Sequence, residues 1–135
     1  MAYCLMLNHY HVLVYLEHAG LSQAMKSLSL AYTKAIDKRF NRVGSLFQGR
    51  FQKIRVTDSG YLVHLIQYIH LNPVKANLVK QPEEWEFSSY LEYARLRADT
   101  LPRMELVQQQ FDDGMFLEEG GLPNSLAFRR LLLDD

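Results

Sequence analysis

Residues 7–14 read Leu-Asn-His-Tyr-His-Val-Leu-Val, and the pair His9 and His11, with Tyr10 between them, is the feature of this chain most suited to chemistry. In an extended strand, side chains two residues apart share a face. Both imidazoles can then reach one cation while Tyr10, Val12 and Val14 turn the other way. A neutral imidazole offers a nitrogen lone pair, so the pair has the makings of half a metal site. The commoner fate of such a pair is two hydrogen-bonded or surface histidines.

A second candidate lies sixty residues on, in Asp58-Ser59-Gly60-Tyr61-Leu62-Val63-His64-Leu65-Ile66-Gln67-Tyr68-Ile69-His70-Leu71-Asn72-Pro73. Leu62, Leu65, Ile66 and Ile69 fall at i, i+3, i+4 and i+7, one apolar helical stripe that faces a core. Asp58 or Ser59 can cap the first turn, and Pro73 is expected to end the helix. Tyr61, His64, Tyr68 and Asn72 lie on a different stripe. Tyr68 and Asn72, four apart, can present a phenol and an amide oxygen to one small volume. The plainer alternative makes Tyr68 a half-buried aromatic and Asn72 a residue bonded to its own backbone.

These residues need a scaffold, and 135 residues suffice for one domain with a single core. A composition 48% hydrophobic and 12% aromatic is globular. The one cysteine, Cys4, excludes an internal disulfide. No signal peptide or membrane span is recognisable, so a reducing, cytoplasmic location and no membrane partner are expected.

A net charge of zero hides an asymmetry. Residues 1–80 carry ten Lys and Arg against three acids, and the remainder five Arg against twelve acids. A basic half that holds the candidate site suits a polyanion such as nucleic acid.

Two apolar runs, Met1–Leu5 and His9–Leu16, read as strands joined by a turn at Asn8. Residues 22–40 read as a helix capped by Ser22, with Met25, Leu28, Tyr32, Ala35, Ile36 and Phe40 at helical spacing. The alternating Gln52–Val56 reads as a strand with Ile54 and Val56 inward. After the Tyr68 helix come a turn over Asn72–Val79, a loop at Pro82–Phe87 anchored by Trp85, and a short helix at Ser88–Leu96. A further helix at Pro102–Phe111 and an irregular appendage at Gly114–Asp135 complete the expectation.

Four segments in order resemble one family. Ala2-Tyr3-Cys4-Leu5-Met6 followed by Asn8-His9-Tyr10-His11, then Leu46–Phe51, then Tyr68–Val79, then Trp85-Glu86-Phe87-Ser88-Ser89-Tyr90 are similar to the insertion-sequence-200-like single-strand DNA transposases of the HUH superfamily. The nearest branch is that of the REP-associated tyrosine transposases. The resemblance covers roughly residues 2–95. It departs at Leu7, where the family usually has proline.

The resemblance implies an α+β fold, a ferredoxin-like antiparallel sheet with helices packed on one face. Relatives begin with a further strand and helix, so the expected product is N-terminally truncated: a transposase-like domain over 1–96, an extension over 97–135, and an exposed sheet edge that a homodimer could complete. It also implies a metal-dependent nicking and joining enzyme, with Tyr68 as nucleophile and His9, His11 and Asn72 as ligands of Mg²⁺ or Mn²⁺. The implied partner is single-stranded or hairpin DNA. Lys34, Lys38, Arg50, Lys53, Arg55 and Lys75 are the candidate phosphate contacts, and Phe47, Phe51 and Tyr90 candidate base-stacking residues. The alternatives are an inactive DNA-binding remnant and a phosphodiesterase that uses water.

Overall fold

A computed structural model describes residues 1–98, apart from the side chain of Ser59. The expected helix at Pro102–Phe111 and appendage at Gly114–Asp135 lie outside the described residues. The described residues divide into two compact units, one of Met1–Tyr15 together with residues 55–98, the other of Leu16–Ile54.

The first unit is α+β. Strand β1 (Ala2–Leu5) pairs antiparallel with β2 (Tyr10–Leu13), in register Ala2 with Leu13, Tyr3 with Val12, Cys4 with His11 and Leu5 with Tyr10. The Met6 amide donates to the His9 carbonyl at 2.8 Å and closes the turn over Leu7 and Asn8. Directly paired residues share a face, so Ala2, Cys4, His11 and Leu13 point to one side. Ala2 and Cys4 are fully buried there. The second strand is shorter than the sequence suggests, and His9 falls just before it.

The other edge of β1 is also covered. The Leu5 amide donates to the Phe87 carbonyl at 2.8 Å, the Ser89 amide to the Tyr3 carbonyl at 3.0 Å, and Cys4 bridges Ser88 antiparallel. Trp85 anchors this return as expected, its indole donating to the Leu5 carbonyl at 2.9 Å. A 3-10 turn at Pro82–Glu84 precedes it.

Helix α2 (Ser59–Lys75) packs on the hairpin. It starts at the expected Asp58, whose carboxylate accepts from the Tyr61 amide at 2.8 Å. Its end is different: Pro73 lies inside the helix. A proline here forfeits its own N–H bond and crowds the carbonyl four residues back, yet the helix runs two residues further, to Lys75. The stop is Asn77, at φ 56° in the left-handed region. The Leu78 and Asn77 amides donate back to the Pro73 and Val74 carbonyls at 3.0 Å each, the paired closure that a left-handed residue permits. The turn expected over Asn72–Val79 is therefore half helix.

Ile66 and Ile69 are 1% and 3% exposed, and Ile66 joins Ala2 and Tyr93 in the core with Leu13 and Leu62 against it. Leu65 is only half-buried, while Val63, His70 and Pro73 are buried. The final helix α3 is one turn, Tyr90–Tyr93, rather than Ser88–Leu96.

In the second unit, helix α1 (Leu21–Phe40) matches its expected extent. Gly20 precedes it, with no side-chain cap, so Ser22 does not play the expected role. Left-handed Asn41 terminates it. None of its residues is buried, and Leu28, Tyr32 and Phe40 are exposed. The strand expected at Gln52–Val56 does not form: residues 51–58 are neither helix nor strand, and Ile54 is exposed. Alternation predicts a strand only where a neighbouring chain completes its ladder, and none pairs with this segment among the described residues.

Candidate active site

His11 sits on the core-facing side of β2, opposite Cys4, while His9 lies at the mouth of the hairpin turn. The two rings meet edge to face with centroids 5.0 Å apart. Burial, helped by the neighbouring His9, pushes the His11 pKa down to about 4, so its ring is neutral at physiological pH. His9 Nδ1 lies 2.7 Å from the Asn8 amide oxygen. That oxygen can only accept, so the Nδ1 proton donates and the Nε2 lone pair is left to face a ligand.

Helix α2 delivers Tyr68 to the same place. Its ring lies 5.9 Å from that of His11, near perpendicular. The Lys75 ammonium stands 4.6 Å from the centre of the phenol ring, over its face. Asn72 is one helical turn from Tyr68 and donates through Nδ2 to the Tyr68 carbonyl at 3.3 Å. That bond is the plainer behaviour foreseen for Asn72, but it engages the nitrogen; the amide oxygen is the atom that a cation would need.

The donor set can be tested for fit. A cation about 2.1 Å from each nitrogen, with each ring centre about 1.1 Å beyond, separates two adjacent imidazole centroids by about 4.6–5.3 Å. The His9–His11 distance falls within that range, and two nitrogens with an amide oxygen suit a borderline-hard divalent ion. Among the described residues no three His, Cys, Asp or Glu side chains gather closely enough to hold a metal. Asn72, on the helix that carries Tyr68, has its amide nitrogen on the Tyr68 carbonyl.

The six basic candidates separate. Lys75 is at Tyr68, and Arg55 is exposed in the same unit. Lys34 and Lys38 are exposed on α1, and Arg50 and Lys53 on the segment after it, all in the second unit. Two of the aromatic candidates pack within the protein. Phe47 meets Tyr32 at 6.2 Å, and Tyr90 meets the buried ring of His70 at 5.6 Å.

His70 is the residue that sequence reasoning passed over. It is 4% exposed, bonded through Nε2 to Ser89 Oγ at 2.8 Å, and packed edge-on against Tyr93 at 4.8 Å. Burial pushes its pKa down to about 3. The available signal was its place four residues after Ile66 and seven after Val63, which puts it on the buried stripe.

No family model and no solved structure matches the chain. Over 100 residues it is 28% identical to a Haemophilus influenzae protein named a REP-associated tyrosine transposase, a match covering 66% of this chain and 57% of the relative. The match thus spans under two thirds of the relative's length. It relates the chain to a transposase. Among the described residues no helix is long and apolar enough to cross a membrane.

Proposed function

We propose that this chain is a transposase-like, DNA-processing protein that cuts and rejoins single-stranded or hairpin DNA through Tyr68. His9, His11 and Asn72 would hold a divalent cation, Mg²⁺ or Mn²⁺, and the α+β unit is read as part of a ferredoxin-like antiparallel sheet. The observation that carries this reading is the Tyr68 phenol beside His11. When bound, the cation polarises the scissile phosphodiester and offsets its developing charge.

The protein's own groups do the rest. His11 is neutral through burial and keeps its lone pair for a ligand, and Asn8 fixes the tautomer of His9. Tyr68 Oη attacks phosphorus, a P–O bond to the phenol forms, and the P–O3′ bond breaks. The phenolic proton ends on the departing 3′ oxygen, so the 5′ phosphate stays on Tyr68 and the strand leaves with a free 3′ hydroxyl. Reversal by another 3′ hydroxyl rejoins the strand without ATP. The Lys75 ammonium, held over the phenol ring, would meet phosphate oxygens, and the exposed Arg55 of the same unit and Lys34, Lys38, Arg50 and Lys53 of the second unit would contact the DNA backbone.

The test is incubation with Mn²⁺ and single strands that carry imperfect palindromes, followed by denaturing electrophoresis. A DNA-linked protein band that Tyr68→Phe abolishes supports the reading. Binding without a linked band points to an inactive DNA-binding remnant, and cleavage that survives Tyr68→Phe points to hydrolysis by water.

A further inference from the structure

We propose that His70 is a positioning residue, whose bond to Ser89 sets the roll of α2 on the sheet and so aims Tyr68 at His11; the inference rests on the role proposed for Tyr68. The hydrogen-bond count at Ser89 is complete. Its Oγ accepts from the Tyr3 amide at 2.9 Å and donates its one proton to the Tyr3 carbonyl at 3.2 Å. The same Oγ lies 2.8 Å from His70 Nε2, a third hydrogen bond on the one oxygen. Tyr3 is the residue of β1 beside Cys4, and Cys4 is the partner of His11. One directional bond therefore ties the helix that carries the phenol to the hairpin that carries the imidazoles.

Helical geometry gives this bond its leverage. Successive residues are about 100° apart around the axis, so Tyr68 and His70 flank Ile69 on either side. Ile69, 3% exposed, faces the core. The apolar contacts of Ile66 and Ile69 hold α2 down, but apolar attraction is non-directional and leaves roll weakly determined. A hydrogen bond prefers one line, and a bond on the His70 flank fixes where the Tyr68 flank points. A phenol oxygen about 8 Å from the helix axis moves about 3 Å for a roll of about 20°, and misplacement of about 1 Å already costs a reaction about a hundredfold.

The experiment compares His70→Leu, Ser89→Ala and His70→Gln with the unaltered chain. Gln retains an N–H near the position of Nε2. The first readout needs neither metal nor DNA: the nuclear Overhauser contact between the His11 and Tyr68 rings. The second is single-turnover strand cleavage together with DNA affinity. The contact should vanish in His70→Leu and Ser89→Ala while the circular dichroism stays that of the folded chain, and His70→Gln should restore it. Cleavage should fall about tenfold to a hundredfold at unchanged DNA affinity in the first two variants and recover in the third. Ser89→Ala deletes a single oxygen and guards against a failure of His70→Leu to fold. Folded Ser89→Ala with an intact ring contact and unaltered cleavage overturns the inference. A chain that does not cleave at all removes the function proposed for Tyr68, and the ring contact still decides the role of His70.

Discussion

Arg97→Ala should be among the most destabilising surface substitutions in this protein. The Glu92 side chain is completely buried, and its carboxylate accepts from Arg97 at 3.0 Å through Nε and at 2.7 Å through Nη2. The same guanidinium donates to the Glu86 and Ser88 carbonyls at 2.9 Å each and to the Tyr3 hydroxyl at 3.2 Å. It closes the segment whose Ser88 and Ser89 line β1. Removing one partner of a buried pair costs about 3–5 kcal/mol, because the survivor keeps its charge without its solvent. The Arg97 side chain is 34% exposed, so water reaches the vacated space and the lower end, about 3 kcal/mol, applies. A domain holds about 5–15 kcal/mol in all. Urea unfolding followed through Trp85, the one tryptophan, measures the loss. Arg97→Lys keeps the charge but loses the planar fork, and should cost about 1–2 kcal/mol. Arg97→Met with Glu92→Met removes both charges and should lie within about 1 kcal/mol of the unaltered protein. An Arg97→Ala cost below about 1 kcal/mol, or a double variant as damaged as the single one, would refute the reasoning.

Folding lowers the pKa of His11 to about 4 and of His70 to about 3, from 6.5 in the unfolded chain. Below pH 6.5 the unfolded chain takes up protons that the folded one refuses, so this stability is complete above 6.5 and is lost as pH falls through 4 toward 3. Urea midpoints across that window should drop, and His70→Gln should flatten the drop. Burial raises the Cys4 thiol to about 11, so iodoacetamide at neutral pH should label it only in denaturant; rapid labelling of the folded chain contradicts its burial. Asp58→Ala removes the cap on the Tyr61 amide and should cost about 1 kcal/mol in thermal unfolding, with Asp58→Asn close to neutral.

Features governed by near neighbours were legible in the sequence. The span of α1, the Asp58 cap, the hairpin and the shared stripe of Tyr68 and Asn72 all follow from spacing and local chemistry. Pro73 misled because proline disfavours a helix without marking its last residue, and the helix runs on to Lys75; Asn77, an ordinary residue in composition, carries the stop. Gln52–Val56 misled because alternation says nothing about a partner strand. The bonds from His70 to Ser89 and from Arg97 to Tyr3 join residues distant in sequence, and no periodicity announces them. The approach of Tyr68 to the histidines was expected through a resemblance, and the geometry now supplies a distance for it.

The most direct measurement locates the linked nucleotide. The protein is incubated with Mn²⁺ and a palindrome-bearing single strand, digested with nuclease and protease, and its peptides are weighed by mass spectrometry. A 5′-phosphonucleotide on the peptide containing Tyr68, absent when His11→Ala is treated alike, is the predicted result. A nucleotide carried by any other residue, or cut strands with no modified peptide, would contradict the assignment of Tyr68 as the attacking group.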